Sequence, residues 1–146
     1  MKNEICKILK NKNLSEECFL LEFENNFTEI FLPGNFVHIK IENNFLRRPF
    51  SIAQYSKKSL QIVYKVVGIG TEQLSRKKEG DFLDILGPLG NSFPLFKHKK
   101  VCIIGGGTGV APLLFLSKML KKYDNEITFF YGARNKNQIL FQILPY

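Results

Sequence analysis

Three short stretches carry the residue types and spacing that could do chemistry. The first is Gly105-Gly106-Gly107-Thr108-Gly109-Val110-Ala111-Pro112, which follows an apolar run and opens an apolar helical pattern. Glycines at such a junction let a ligand approach the backbone, and the helix start offers unpaired N–H groups and the positive end of a dipole to an anion. Pro112 falls where a helix tolerates proline. The loop lacks the lysine of a mononucleotide P-loop, so hydrolysis of ATP or GTP is disfavoured, and a dinucleotide pyrophosphate fits better. The second stretch, Gly68-Ile69-Gly70-Thr71, ends a strand and starts another helix, with Gly70 open to a ligand and the Thr71 hydroxyl able to cap or to bind phosphate. Taken alone, an ordinary turn with a threonine N-cap accounts for it better. The third is Arg47-Arg48-Pro49-Phe50-Ser51. Arg48 supplies a planar, permanently charged fork suited to phosphate, Phe50 a flat face for a ring, and Ser51 a small donor. Pro49 suits a strand edge or a ligand-lined mouth.

The elements that must hold these stretches follow from patterning. Up to about Phe96, short runs rich in Phe, Ile, Val and Leu alternate with Asn, Gly and Pro. The runs starting at Cys18, Asn35, Phe50, Leu60 and Asp81 read as strands of a small antiparallel barrel. One short helix is expected from about Thr71 to Lys77. After Lys97 the pattern changes to a buried strand, the glycine loop, a helix with apolar Leu113, Leu114, Leu116, Met119 and Leu120, and a second buried strand from Glu126, which is the opening of a parallel βαβ unit. The expected division is 1–97 for the barrel and 98–146 for an incomplete α/β domain, a β-barrel plus α/β architecture.

Composition narrows the function classes. The 146 residues suffice for a real core, and the net charge of +8 comes from scattered lysines or short runs. No basic helix with interleaved aromatics and no zinc-finger spacing occurs, so nucleic-acid binding is unsupported. Cys6, Cys18 and Cys102 lie far apart and lack metal-ligand spacing, which argues against a metal site within the chain. Cys102 reads as a buried small hydrophobe. The odd cysteine count, with no signal peptide read in the sequence, points to a reducing cytoplasm. The uncharged run Val101 to Ser117 is shorter than the ~20 residues of a membrane-spanning helix and is broken by glycines and Pro112, so no membrane span is expected.

Arg48-Pro49-Phe50-Ser51, Gly70-Thr71, Gly87-Pro88-Leu89-Gly90 and the Gly107 to Pro112 loop, in that order, resemble the ferredoxin–NADP reductase superfamily. Within it, "LRRPFSI", "VYKVVGIGTEQLS" and "LGPLGNSF" look most like the electron-transfer subunit of the dihydroorotate dehydrogenase B type. The resemblance implies a flavin-binding barrel followed by a nucleotide-binding α/β domain, with FAD as cofactor and NAD(P) as substrate. It implies that Arg48 binds the flavin pyrophosphate, Phe50 packs near the isoalloxazine and Ser51 bonds near its reactive nitrogen. Val63-Tyr64-Lys65 would line the flavin, with Lys65 favouring the anionic reduced form, and Gly70 and Thr71 would hold its phosphate. Gly105, Gly106, Gly107, Thr108, Gly109 and Pro112 would form the nicotinamide dinucleotide loop, with Tyr131 to Arg134 near the adenosine half, and the Gly87 to Gly90 loop would lie where flavin and nicotinamide meet. No acid or base catalyst is implied. The expected partner is a catalytic dehydrogenase subunit in pyrimidine synthesis or another redox protein; a ferredoxin- or hydrogenase-linked NAD(P)H reductase subunit and a flavin-free assembly module are the alternatives. Members of this type continue through further βα units to a cysteine cluster that ligates [2Fe–2S]. No cysteine here matches it, so a fragment or a reduced form is expected, with apolar surface around Ile103, Phe129 and Phe130 for a partner or second copy to cover.

Overall fold

The computed structural model describes residues 1–42, 45–140 and 143–144; the reading of the chain's end falls mostly outside them. Six strands form a closed antiparallel barrel: β1 (Lys2–Ser15), β2 (Cys18–Glu24), β3 (Phe36–Lys40), β4 (Arg48–Tyr55), β5 (Ser59–Lys65) and β6 (Phe82–Leu89), in the spatial order β1-β2-β5-β4-β3-β6. Helix α1 (Ile69–Arg76) bridges β5 and β6. Beyond the barrel, β7 (Lys100–Gly106), α2 (Ala111–Lys121) and β8 (Glu126–Gly132) form a βαβ unit whose two strands pair in parallel. The barrel and the βαβ unit are the architecture expected from the sequence.

Strand β1 escapes the sequence pattern. Its run of Lys and Asn hides an inward face of Cys6, Ile8 and Leu14. Its first half pairs with β6 and its second half with β2, with an irregularity after Ile8 that lets one long strand serve both neighbours. Closure thereby removes every edge from the barrel. Inside, Ile8, Leu21, Phe23, Ile39, Ile62 and Ile85 are wholly buried. Each such side chain contributes about 1.5–3 kcal/mol by leaving water.

Arg47 closes the seam on the far side. Its guanidinium donates to the Asp84 carboxylate at 2.9 Å, to the Asp84 carbonyl at 3.0 Å and to Asn3 Oδ1 at 3.0 Å. Burial alone would push the Asp84 carboxyl up, but the bonds from Arg47 and Asn3, with the charges of Arg47 and Lys40, outweigh it and hold the group below its ordinary value.

Helix α2 packs on β4, and Phe115 stacks on Tyr55 at 6.2 Å inside the barrel's own core cluster. The buried Asn125 side chain ties the unit together: its amide donates to the carbonyls of Phe96 and Leu120 at 2.8 and 2.7 Å and its Oδ1 accepts the Lys99 N–H at 3.0 Å. Of the apolar positions foreseen on α2, Leu120 is buried while Leu113, Leu114, Leu116 and Met119 are half-buried, and Ala111 and Phe115 are the deep contacts.

Two expectations about the parallel strands need correction. Cys102 is exposed and Ile103 is buried, because the unit covers only one face of its sheet. Period-2 alternation therefore turns Ile103 inward and sends Cys102 and Ile104 out. The open apolar patch is Ile104 beside its ladder partner Phe130, 75% and 56% exposed, while Phe129 is half-buried against the second core cluster.

Candidate functional site

Helix α1 begins at Ile69, two residues earlier than expected, with Gly68 as its cap. The Thr71 hydroxyl is spent inside the turn: it accepts the N–H groups of Val67 and Gly68 at 2.9 and 3.2 Å and donates to the Gly68 carbonyl at 3.0 Å. It shapes the turn. Within the first turn Glu72 N–H bonds back to the Gly68 carbonyl, and the N–H groups before it are the ones a helix leaves without an internal partner.

Asn11 braces the other end. Its amide donates to the carbonyls of Leu74 and Lys77 at 2.9 and 2.8 Å, and its Oδ1 accepts the Tyr64 hydroxyl at 3.1 Å. Burial pushes the Tyr64 phenol up to about 12 although the bond to Asn11 opposes it. The phenol therefore stays protonated and positions a ring: Tyr64 stacks on Phe19 at 5.5 Å and meets Phe50 edge-on at 5.8 Å.

These elements frame a groove of about 440 Å³. One wall is Arg48, Pro49, Phe50 and Ser51 from the start of β4. The floor is Val63, Tyr64 and Lys65 from the end of β5, with Val67 and Thr71 beyond it. The opposite wall is Thr108, Gly109, Ala111 and Pro112. Residues from all three stretches singled out in the sequence thus converge on one concavity. Arg48 is half-buried beside it and donates to the Leu46 carbonyl at 3.0 Å. Arg47, its sequence neighbour, belongs to the barrel seam instead.

A second groove of about 610 Å³ runs over the glycine loop. It is lined by Gly106, Gly107 and Thr108, by Gly132, Ala133 and Arg134 at the carboxyl end of β8, and by the β1–β2 turn from Ser15 to Cys18. Lys65 and Thr108 line both grooves, so the two concavities meet there. Gly105 has a packing reason: a Cβ there would stand 3.2 Å from Leu113 Cδ1 and 3.3 Å from Val110 Cγ2. Gly107 takes a positive φ of 51°, and neither it nor Gly109 has protein atoms within 4 Å of where a Cβ would go. The open space above the loop is what a ligand approaching the backbone requires.

Not every expected residue lines a groove. Gly70 and Gly105 lie beneath the surfaces, and the Gly87 to Gly90 stretch, expected as a loop between flavin and nicotinamide, is instead the end of strand β6 with Gly90 just past it, and borders neither groove. Packing explains its glycines, since a Cβ at Gly90 would stand 2.6 Å from the Phe36 ring and one at Gly87 2.8 Å from Val37. Sequence reasoning missed Asn11 and Glu17. Glu17 in the β1–β2 turn pairs with Lys65 at 2.7 Å, and nothing local in the sequence marks it.

Residues 103–144 match the model of the oxidoreductase NAD-binding domain family. The chain is 41% identical over 116 residues, 79% of its length and 47% of the relative's, to the dihydroorotate dehydrogenase B (NAD(+)) electron transfer subunit of Caldanaerobacter subterraneus subsp. tengcongensis. It is 37% identical to the subunit of the same name from Enterococcus faecalis, over 97% of this chain and 57% of that one. The chain spans about half the length of the curated relatives it matches. Among solved structures, the NADH-dependent reduced ferredoxin–NADP oxidoreductase studied for flavin-based electron bifurcation superposes with a TM-score of 0.86 at 34% identity, over 94% of this chain and 51% of that one. In sequence and in fold the chain is thus similar, over about half of their length, to dihydroorotate dehydrogenase B electron transfer subunits and to a ferredoxin–NADP oxidoreductase, which supports the ferredoxin–NADP reductase superfamily.

Proposed function

We propose that this chain is the flavin-holding part of an electron-transfer oxidoreductase subunit of the dihydroorotate dehydrogenase B type. In this reading residues 1–97 form the flavin-binding unit, and residues 98–146 contribute the start of the NAD(P)-binding unit. The carrying observation is the junction of two grooves at Lys65 and Thr108, one walled by Arg48, Phe50 and Ser51, the other by the Gly106 to Thr108 loop.

The residues fit a flavin dinucleotide, with FAD the specific reading. Arg48 offers its guanidinium to the pyrophosphate, the first turn of α1 offers N–H groups to phosphate, and Phe50 with Tyr64 forms a rigid apolar wall for a ring. A flavin held there would supply two-electron exchange with the nicotinamide and one-electron exchange with the partner, so that with a dihydroorotate-oxidising partner the electrons would enter singly and leave as hydride to the oxidised nicotinamide. The protein's task is to hold both groups and exclude water between them. Gly106 and Gly107 would give the nicotinamide dinucleotide close backbone approach, Arg134 lines the same groove, and Gly109 and Pro112, expected on the dinucleotide side, line the flavin groove instead.

The donor set for a [2Fe–2S] centre does not fit here. Cys6 and Cys18 are buried, Cys102 lies on the open sheet face, and no group of three candidate ligands occurs among the described residues. No step is assigned to such a centre within this chain. For the one-electron partner the reading is a dihydroorotate-oxidising subunit in the cytoplasm. The similarity to the ferredoxin–NADP oxidoreductase supports a second reading, a subunit that exchanges electrons with a ferredoxin-type carrier.

Titration with FAD followed by flavin fluorescence tests the site. Saturable quenching in the wild-type chain and its weakening in Arg48→Ala are expected; equal affinity in the two would contradict the assignment of the groove.

A further inference from the structure

The motifs of this fold account for Arg48, Lys65 and the glycines, but not for the acid that holds Lys65. Glu17 sits in the two-residue turn between Ser15 and Cys18, which pair across the hairpin, and Cys18 is the ladder partner of Lys65 itself. The turn is fastened to β5 twice. The Glu17 carbonyl accepts the Val66 N–H at 2.8 Å, and its carboxylate meets the Lys65 ammonium at 2.7 Å. Lys65 lines both grooves, whereas Glu17 lines the nucleotide groove and the hollow before α1 but not the flavin groove. The carboxylate thus draws the ammonium toward one side of the junction and cancels part of its charge.

We infer that Glu17 is a positioning residue for Lys65, parking its ammonium on the nucleotide side and limiting the positive field that the flavin groove receives. The inference rests on the flavin reading above. A cation near the ring favours the anionic reduced form, so a carboxylate bound to that cation opposes the effect. The pair is half-exposed, with side chains 35% and 53% accessible, so the coupling is that of a surface pair and not of a buried one. The other charged groups around the junction, Glu16, Arg48, Glu72 and Arg134, remain in place in the variants below.

The experiment is the midpoint potential of flavin bound to the full chain, measured spectroelectrochemically for wild type, Glu17→Gln, Glu17→Asp and Lys65→Met, with melting temperatures alongside. Glu17→Gln is expected to favour reduced over oxidised flavin by about fivefold more than wild type, a rise of ~20 mV for a two-electron couple. Glu17→Asp should return most of the shift, and Lys65→Met should lower the potential. A potential unchanged or lowered in Glu17→Gln, with flavin bound and melting temperature retained, overturns the assignment. An unchanged potential in Lys65→Met overturns it even if the Gln variant is unstable. If the wild-type chain takes up no flavin, the functional reading falls together with this one; if it does and only Glu17→Gln is silent, Glu17 alone is misassigned.

Discussion

The barrel and the βαβ unit solve the same problem with unequal completeness. In the barrel each strand has two neighbours, and alternate residues fill one interior. The β7–β8 sheet has two edges and a single covered face, with Ile104 and Phe130 open on the other. A parallel sheet is stable when both faces are covered. The unit compensates by lending Phe115 to the barrel core, so its stability is borrowed across the junction that also forms the candidate site. Stability and site geometry are therefore linked through α2: its first turn walls one groove, and its middle anchors the barrel.

Breaking that link should have the largest effect. Phe115→Ala removes a side chain that is 4% exposed, and it should cost about 3–5 kcal/mol, read as a fall in denaturation midpoint. A loss confined to the βαβ unit, with the barrel's transition unmoved, would show that the two regions do not share a core.

Arg48→Ala comes next and tests the site without the core. Charge-assisted bonds to phosphate contribute about 1.5–3 kcal/mol, so FAD affinity should drop roughly tenfold to a hundredfold while the melting temperature barely changes. The adjacent Arg47→Ala should do the reverse.

Asp84→Asn sharpens the barrel side and should cost about 1–2 kcal/mol at neutral pH. The Asp84 carboxyl is lowered in the folded state. Its contribution is therefore complete above the ordinary aspartate value of about 3.9 and is lost as the pH falls through the lower folded value. Urea midpoints of wild type and Asp84→Asn should converge in that acidic window; parallel curves would refute the role of the pair.

The smallest stability effect belongs to Ile104→Ser, whose side chain meets solvent. A change within about 0.5 kcal/mol is expected, together with less self-association by light scattering. A large destabilisation would mean that this face is packed in solution.

Much of the architecture was readable because β2 to β6 are short apolar runs bounded by turn residues, and because the glycine loop sits between a strand and a helix. β1 was not readable: its seam role needs only Cys6, Ile8 and Leu14 inward, and lysines and asparagines mask that spacing. Cys102 and Ile103 were assigned the wrong way round because a continuous apolar run does not reveal which face will be covered. At the candidate site, Arg48 and Phe50 stood out by their types and Lys65 through the family resemblance, and all three line one groove, as does Thr71, whose hydroxyl takes the capping role that the sequence left open. Glu17 and Asn11 act across the barrel on partners distant in sequence, and only the pairing of strands brings them near.

The most direct test of the central claim is anaerobic: the purified chain is loaded with FAD, mixed with NADH, and followed by visible absorption. Two grooves that meet at Lys65 and Thr108 predict that the bound flavin's bands bleach on mixing. Flavin that binds but keeps its bands, or no flavin uptake at all, would contradict the claim that these concavities bring a flavin and a nicotinamide together.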